Sequence, residues 1–237
     1  MHFTLFNLVN ALAIGLIIGL MARVTNVRLK ATLYTFPIPI SIALVATHGV
    51  VGSSNVIGLA LICSFIVWTY LLHHRLRVPI LIADIMAAAL YIAVGYVLIK
   101  VITVSFTLVS GIYIILWGLL MLRLRRVEAP LTLAKPSAVP PAMKAVATVA
   151  VSYVLFSLKD VLAGIVVTFP YSGVFAVLET KNHLEILARV VIRNSMAILA
   201  FFITMYWFQS RLVFIINLAA GWVAYLLILF VVQKIPV

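Results

Sequence analysis

Acidic residues are scarce: the 237 residues include 5 Asp and Glu, and charged residues of both signs make up 9% of the chain. A water-soluble domain carries roughly 25% charged residues, so the side chains that would cover a water-facing exterior are missing. With 66% hydrophobic residues and a mean hydropathy of +1.28, this shortage excludes soluble enzymes and nucleic-acid binders and predicts an integral membrane protein. The one cysteine, Cys63, lies in an apolar run, which excludes an internal disulfide framework and a thiol metal cluster. There is no Ser-His-Asp set, no zinc-ligand spacing, no Gly-rich phosphate loop and no acid pair placed for Mg²⁺. An intramembrane enzyme needs titratable groups within mutual reach. Five scattered acids supply little for one, so the expectation is a non-enzyme without cofactor or metal.

Long apolar runs are abundant. At about 20 apolar residues per membrane-crossing helix, runs bounded by charges or turn residues predict about nine spans. They are Leu5–Ala22, Ala31–Val51, Val56–Leu72, Val78–Ile99, Val101–Leu122, Pro141–Leu158, Val161–Leu178, Ile186–Phe208 and Leu212–Val232. The run from Val78 to Leu122 is broken only by Lys100 and is too long for one helix, so it is read as a tight hairpin. Pro140-Pro141 suit a helix start, where the missing donor costs nothing. The first segment lacks a basic lead and a clear cleavage site and is read as a retained helix. The predicted fold is all-α and polytopic.

Residues 123–144 form a basic, proline-rich linker with Arg123, Arg125, Arg126, Glu128, Lys135 and Lys144, and with Pro130, Pro136, Pro140 and Pro141. A formal net charge of +12 would suggest nucleic acid in a soluble protein. In a membrane protein, topology explains it, because basic residues hold loops on the cytoplasmic side. With the N-terminus outside, only Lys100, Lys159 and Arg211 of the 17 Lys and Arg fall outside. The layout expected is a multi-pass protein of the inner cell membrane, with the linker and C-terminus cytoplasmic.

The sequence also repeats. Thr35-Phe36-Pro37 recurs as Thr168-Phe169-Pro170 at an offset of 133, and Ala43 pairs with Ala176. At an offset of 134, Arg77, Ile82, Tyr91, Val97 and Lys100 match Arg211, Ile216, Tyr225, Val231 and Lys234. This divides the chain into a four-helix repeat over 1–100, an extra helix over 101–122, the linker over 123–144 and a second four-helix repeat over 145–237. The odd extra span would set the copies in opposite orientations, as in many secondary transporters. Of nine prolines, the three deep in apolar runs, Pro37, Pro39 and Pro170, all lie in the repeated second spans. Proline frees a carbonyl that must find another partner in lipid, and paired broken helices point to a binding site. Packing kinks are the alternative reading.

Asp84 lies seven residues beyond Arg77, about 10 Å into the fourth span. An acid at that depth suggests proton coupling, cation coordination or an ion pair. Arg193, at similar depth in the eighth span, is the natural partner, and Glu185, Arg189 and Arg193 share one helix stripe. Snorkelling of Arg193 to the headgroups is the alternative. Asn194, Ser195 and Asn217 are candidates for hydrogen bonds between helices. His48, His73 and His74 sit at helix ends, where anchoring suits them better than metal binding, since adjacent histidines on an α-helix point apart. Gly15 and Gly19 form a small-xxx-small motif that permits close helix packing. Trp68, Trp117, Trp207 and Trp222 are read as interfacial or packing residues.

In the second half, Phe169-Pro170, the run Val174-Phe175-Ala176, Arg189 leading into Asn194-Ser195-Met196, the aromatic end Tyr206-Trp207-Phe208 and the closing Lys234 together resemble the GlpM-like family of small four-span bacterial membrane proteins. The first half shows the plan more faintly through Phe36-Pro37. The chain departs from the family in being about twice its usual length, in the added fifth span and in Pro39, which stands where the second copy has Ser172. The resemblance implies a membrane fold of bacterial or archaeal origin and no substrate.

The functional expectation is a small secondary transporter or lipid-translocating protein for an anionic or amphipathic substrate. Phe36, Pro37, Phe169 and Pro170 would shape its cavity, Asp84 would be the coupling or ion-pair acid, and Arg193 with Asn194 would contact the substrate. Membrane lipids are the expected surroundings, and a homodimer is an open possibility. The competing expectation is an accessory or scaffold subunit packed against a partner membrane protein.

Overall fold

The computed structural model describes residues 5–24, 26–47, 49–101, 103–124, 140–162 and 164–235, which are predominantly helical with no strand among them. His48 and most of the linker, including Arg125, Arg126, Glu128, Lys135, Pro130 and Pro136, lie outside the described residues. Among the described residues, six stretches are long and apolar enough to cross a membrane: Leu29–Ala46, Ser53–Arg75, Ile80–Val101, Phe106–Arg123, Lys181–Phe208 and Phe214–Val232. Leu5–Met21 and Pro141–Ser157 are apolar but shorter. These are the helices of a multi-pass membrane protein.

In chain order the helices are α1 (Leu5–Met21), α2 (Val27–Tyr34), α3 (Ile38–Ala46), α4 (Ser53–Tyr70), α5 (Ile80–Val101), α6 (Phe106–Leu124), α7 (Pro141–Ser157), α8 (Lys159–Leu162), α9 (Gly164–Val167), α10 (Gly173–Glu179), α11 (Leu184–Phe208) and α12 (Phe214–Val232). The run from Val78 to Leu122 is divided just after Lys100, between α5 and α6, and α7 starts at Pro141 with Pro140 as its cap. The expected seventh span, 161–178, is broken between Val167 and Gly173, the end of α9 and the start of α10. Pro170 is one cause, since it cannot donate a helical hydrogen bond.

α11 is the central helix, packed against α12, α4, α2 and α6, while α4 also packs against α5, α6 and α9. α6 is fastened across α4 and α11. Tyr113 donates to Ser195 Oγ at 2.6 Å and lies 3.6 Å from Cys63 Sγ, Trp117 donates to the Ile192 carbonyl at 2.8 Å, and Phe106 stacks on Tyr206. Asn217 of α12 donates to the Met205 carbonyl of α11 at 2.9 Å. The outward faces of α5, α6 and α12 carry exposed Leu and Ile such as Ile85, Ile115 and Leu227, which suit acyl chains.

α1 runs antiparallel to α7 at close range. A Cβ on Gly15 would lie 2.5 Å from Val149 Cγ2 and 2.8 Å from the Ala145 oxygen, and one on Gly19 would lie 3.3 Å from Ala145 Cβ. Only hydrogen fits at Gly15 and the contact at Gly19 is tight, the use expected of this small-xxx-small pair. Gly15→Ile should therefore cost about 1–3 kcal/mol by overpacking. Gly118→Ile, where a Cβ meets nothing within 4 Å, should leave unfolding in mixed micelles unchanged. Equal losses for the two would contradict this packing.

The two adjacent histidines differ from expectation. Residues Leu71–Arg75 form a π-turn rather than α-helix, and the His73 and His74 rings lie 5.1 Å apart. His73 Nδ1 lies 2.9 Å from the Val78 carbonyl and the His74 ring lies 4.9 Å from that of Tyr70, so both rings pack within the turn.

Candidate functional site: two helix breaks and the recess beside them

α2 stops at Tyr34 and α3 begins at Ile38, so Thr35-Phe36-Pro37 is the gap between them. α2 closes with tightened turns, Thr35 N–H to the Thr32 carbonyl and Phe36 N–H to that of Leu33, both at 3.0 Å. Pro37 then caps α3, and Ser41 returns both its N–H and its hydroxyl to the Pro37 carbonyl, at 2.8 and 2.7 Å. The second gap runs from Thr168 to Ser172, between α9 and α10. Tyr171 N–H reaches the Phe169 carbonyl at 2.7 Å and the Tyr171 hydroxyl donates to that of Val166 at 2.8 Å.

Carbonyls freed by each gap are satisfied from the opposite half. Tyr225 of α12 donates to the Thr35 carbonyl at 3.1 Å. Tyr91 of α5 donates to the Ile165 carbonyl at 3.1 Å and lies 3.0 Å from Thr168 Oγ1. Each tyrosine also receives the gap phenylalanine edge-on, with ring centroids 5.8 Å apart for Phe36 and Tyr225 and 5.6 Å for Phe169 and Tyr91. In lipid an unpaired carbonyl is costly, so these hydroxyls make the breaks tolerable. Ser172 Oγ adds a direct link between the gaps by donating to the Tyr34 carbonyl at 3.1 Å.

Between the gaps lies a cavity of about 40 Å³, lined by Thr35, Phe36, Phe169, Pro170 and Ser172 among others. It has room for a few water molecules and no larger solute. Four of the residues expected at the site, Phe36, Pro37, Phe169 and Pro170, therefore meet at the centre, though Pro37 caps α3 rather than lining the cavity. Asn194 joins them, donating to Thr35 Oγ1 at 3.0 Å. Arg193 is one step behind: its Nε donates to Asn194 Oδ1 at 3.2 Å and its Nη1 to the Ile235 carbonyl at 3.5 Å. Arg189 pairs with Glu185 along the same helix.

Asp84 stands apart, and the expected pair with Arg193 does not form. The Asp84 side chain is 1% exposed, and neither of its carboxylate oxygens has a hydrogen-bond partner among the described residues. It lines a second recess, of about 330 Å³, between α5, α7 and α10. Phe169 borders both this recess and the central cavity, so its ring is the partition between them.

Sequence reasoning did not single out Glu179. Its carboxylate takes Lys30 Nζ at 2.5 Å, Lys144 Nζ, and the Tyr34 hydroxyl at 3.0 Å, all of them buried. The cluster ties α2, α7 and α10 together at one end of the molecule. At the opposite end Lys159 donates to the Ala46 carbonyl at 3.1 Å, and Ala46 is the counterpart of Glu179 at the offset of 133. An acid at a helix end, 149 residues from one partner and 35 from the other, gives no local signal in the sequence.

No family model matches the chain, and no curated protein or solved structure matches it. Among the described residues, no group of three or more His, Cys, Asp or Glu could hold a metal ion.

Proposed function

We propose that the protein is a small secondary transporter or lipid-translocating protein, built from inverted four-helix halves over 1–100 and 145–237, with its path at the two helix breaks. The observation that carries this reading is the reciprocal exchange: Tyr225 completes the break at Thr35 and Tyr91 completes the break at Thr168. Halves that complete each other's interrupted helices suit rocking of one half against the other about a central site. The antiparallel contact of α1 with α7, which start the two halves, supports the inversion. Nine crossings follow if the broken stretches 27–46 and 159–179 each count as one. The resemblance of residues 158–234 to GlpM-like proteins belongs to the same proposal.

Of the two substrate classes expected, an amphipathic one is better supported. Neither cavity is lined by Lys or Arg, and the recess carries Asp84 and Thr148 in otherwise apolar and aromatic walls. The proposed setting is the inner membrane, N-terminus outside and Glu179 at the cytoplasmic end. Purified protein in liposomes tests the activity, with dithionite bleaching of a fluorescent phospholipid for translocation and dye accumulation for uptake of an amphipathic solute. Folded protein that moves neither faster than protein-free liposomes would defeat the proposal.

A further inference from the structure

The two halves differ in what fills the space beside each break. In the second half Trp222 fills the space beside the first break. Its Nε1 donates to Ser41 Oγ at 3.0 Å, and its ring meets Phe36 and Tyr225 edge-on. At the offset of 134 the first half has Ala88 in place of Trp222 and Asp84 in place of Leu218. At the offset of 133, Val174 stands in place of Ser41. Ala88, Asp84 and Val174 all line the 330 Å³ recess, so an indole is replaced by open space and a leucine by a carboxylate.

That space is at the small end of ligand sites, which run to about 300–1,000 Å³. Its walls are Ile85, Ile92, Val151 and small alanines, with the aromatic rings of Phe169, Tyr171 and Phe175. Ile85 and Val151 at its margin are 61% and 45% exposed on the outer surface of the bundle, so access is from the acyl-chain region between α5 and α7. A buried carboxylate without a partner needs a proton or a cation. Ca²⁺ and Mg²⁺ need several oxygen ligands, and one carboxylate does not supply them. A phospholipid headgroup would bring a phosphate, and the lining has no Lys or Arg to receive it. An organic ammonium on an apolar body suits it: the carboxylate of Asp84, buried just behind the recess wall, neutralises the charge, the surrounding aromatic side chains favour a cation, and the alkyl walls take the body.

We propose that this recess binds a lipophilic ammonium compound, taken from the bilayer between α5 and α7 with its nitrogen at Asp84. Binding is separable from transport, so protein that binds such a compound but moves neither it nor the fluorescent phospholipid would uphold this inference and defeat the transport reading. The test uses full-length protein in phosphatidylcholine nanodiscs and radiolabelled 4-phenylbutyl-trimethylammonium, alongside its uncharged analogue with carbon in place of nitrogen. The expected result is saturable binding of the cation, weakened about tenfold or more by Asp84→Asn and abolished by Ala88→Trp, which supplies the indole that the other half carries. A recess that holds only a proton would show no saturable cation binding by folded protein, and that result overturns the proposal. So does equal affinity for the uncharged analogue, or binding that Ala88→Trp leaves intact. If Asp84→Asn fails to fold, Ala88→Trp still decides.

Discussion

Glu179→Gln is expected to lower the unfolding free energy by about 3–5 kcal/mol, because it leaves two buried ammonium groups facing a neutral amide. Lys30 and Lys144 are 4% and 2% exposed, so neither can turn to water without moving α2 or α7. The carboxylate is shared, with Lys30 and Tyr34 on Oε2 and Lys144 on Oε1. Losing it therefore breaks contacts from α2 and α7 at once. Removing one of the two excess charges should restore part of the loss, so Glu179→Gln/Lys144→Met should be more stable than Glu179→Gln alone. Lys144→Met by itself leaves the Lys30 pair intact and should be the mildest of the three. Unfolding in mixed detergent micelles measures all of them. A Glu179→Gln protein as stable as its parent would show that the cluster does not hold this end of the molecule together.

Phe169→Ala is expected to have the largest effect on access to the centre. Truncating a buried phenylalanine costs about 3–5 kcal/mol, and here the ring also forms edge contacts with Tyr91 and Tyr171, centroids 5.6 and 5.1 Å away. Its removal joins the lateral recess to the cavity between the breaks. In a Cys63→Ala background, the thiol introduced by Ser172→Cys should resist a membrane-permeant maleimide. Adding Phe169→Ala should make it react at least tenfold faster. Phe36→Ala is the control, since Phe36 packs on Trp222 and Tyr225 and does not line the recess. It should cost stability without exposing the thiol. Equal protection in both double variants would mean that Phe169 is not the partition.

Much of the membrane architecture was legible because it follows from local properties. Charge and turn residues mark helix ends, and the repeated Thr-Phe-Pro marks two gaps at matching places. The match of Tyr91 with Tyr225 was visible too, but its use was not. Each tyrosine serves the other half's gap, and nothing in a linear pattern says which half a hydroxyl will reach. The charges misled for a related reason. Lys30 and Lys144 have the positions of topogenic loop cations, yet both are buried on Glu179. Asp84 and Arg193 match in depth, but depth along a helix does not fix which side of the bundle a residue faces. Arg193 meets Asn194 and the end of α12, while Asp84 faces α7 and α10 across the recess. The π-turn over Leu71–Arg75 has no local mark in the sequence that separates it from α-helix.

Everything proposed for the helix breaks depends on the two halves crossing the membrane in opposite senses. Leu76 and Ser210 are counterparts at the offset of 134 and lie exposed in the turns after α4 and α11. Leu76→Cys and Ser210→Cys, each in a Cys63→Ala background, can be labelled with a membrane-impermeant maleimide before and after permeabilisation of the cells. The expected result is that Ser210→Cys labels in intact cells and Leu76→Cys labels only once they are permeabilised. Labelling of both from the same side would contradict the inverted arrangement and the transport reading built on it.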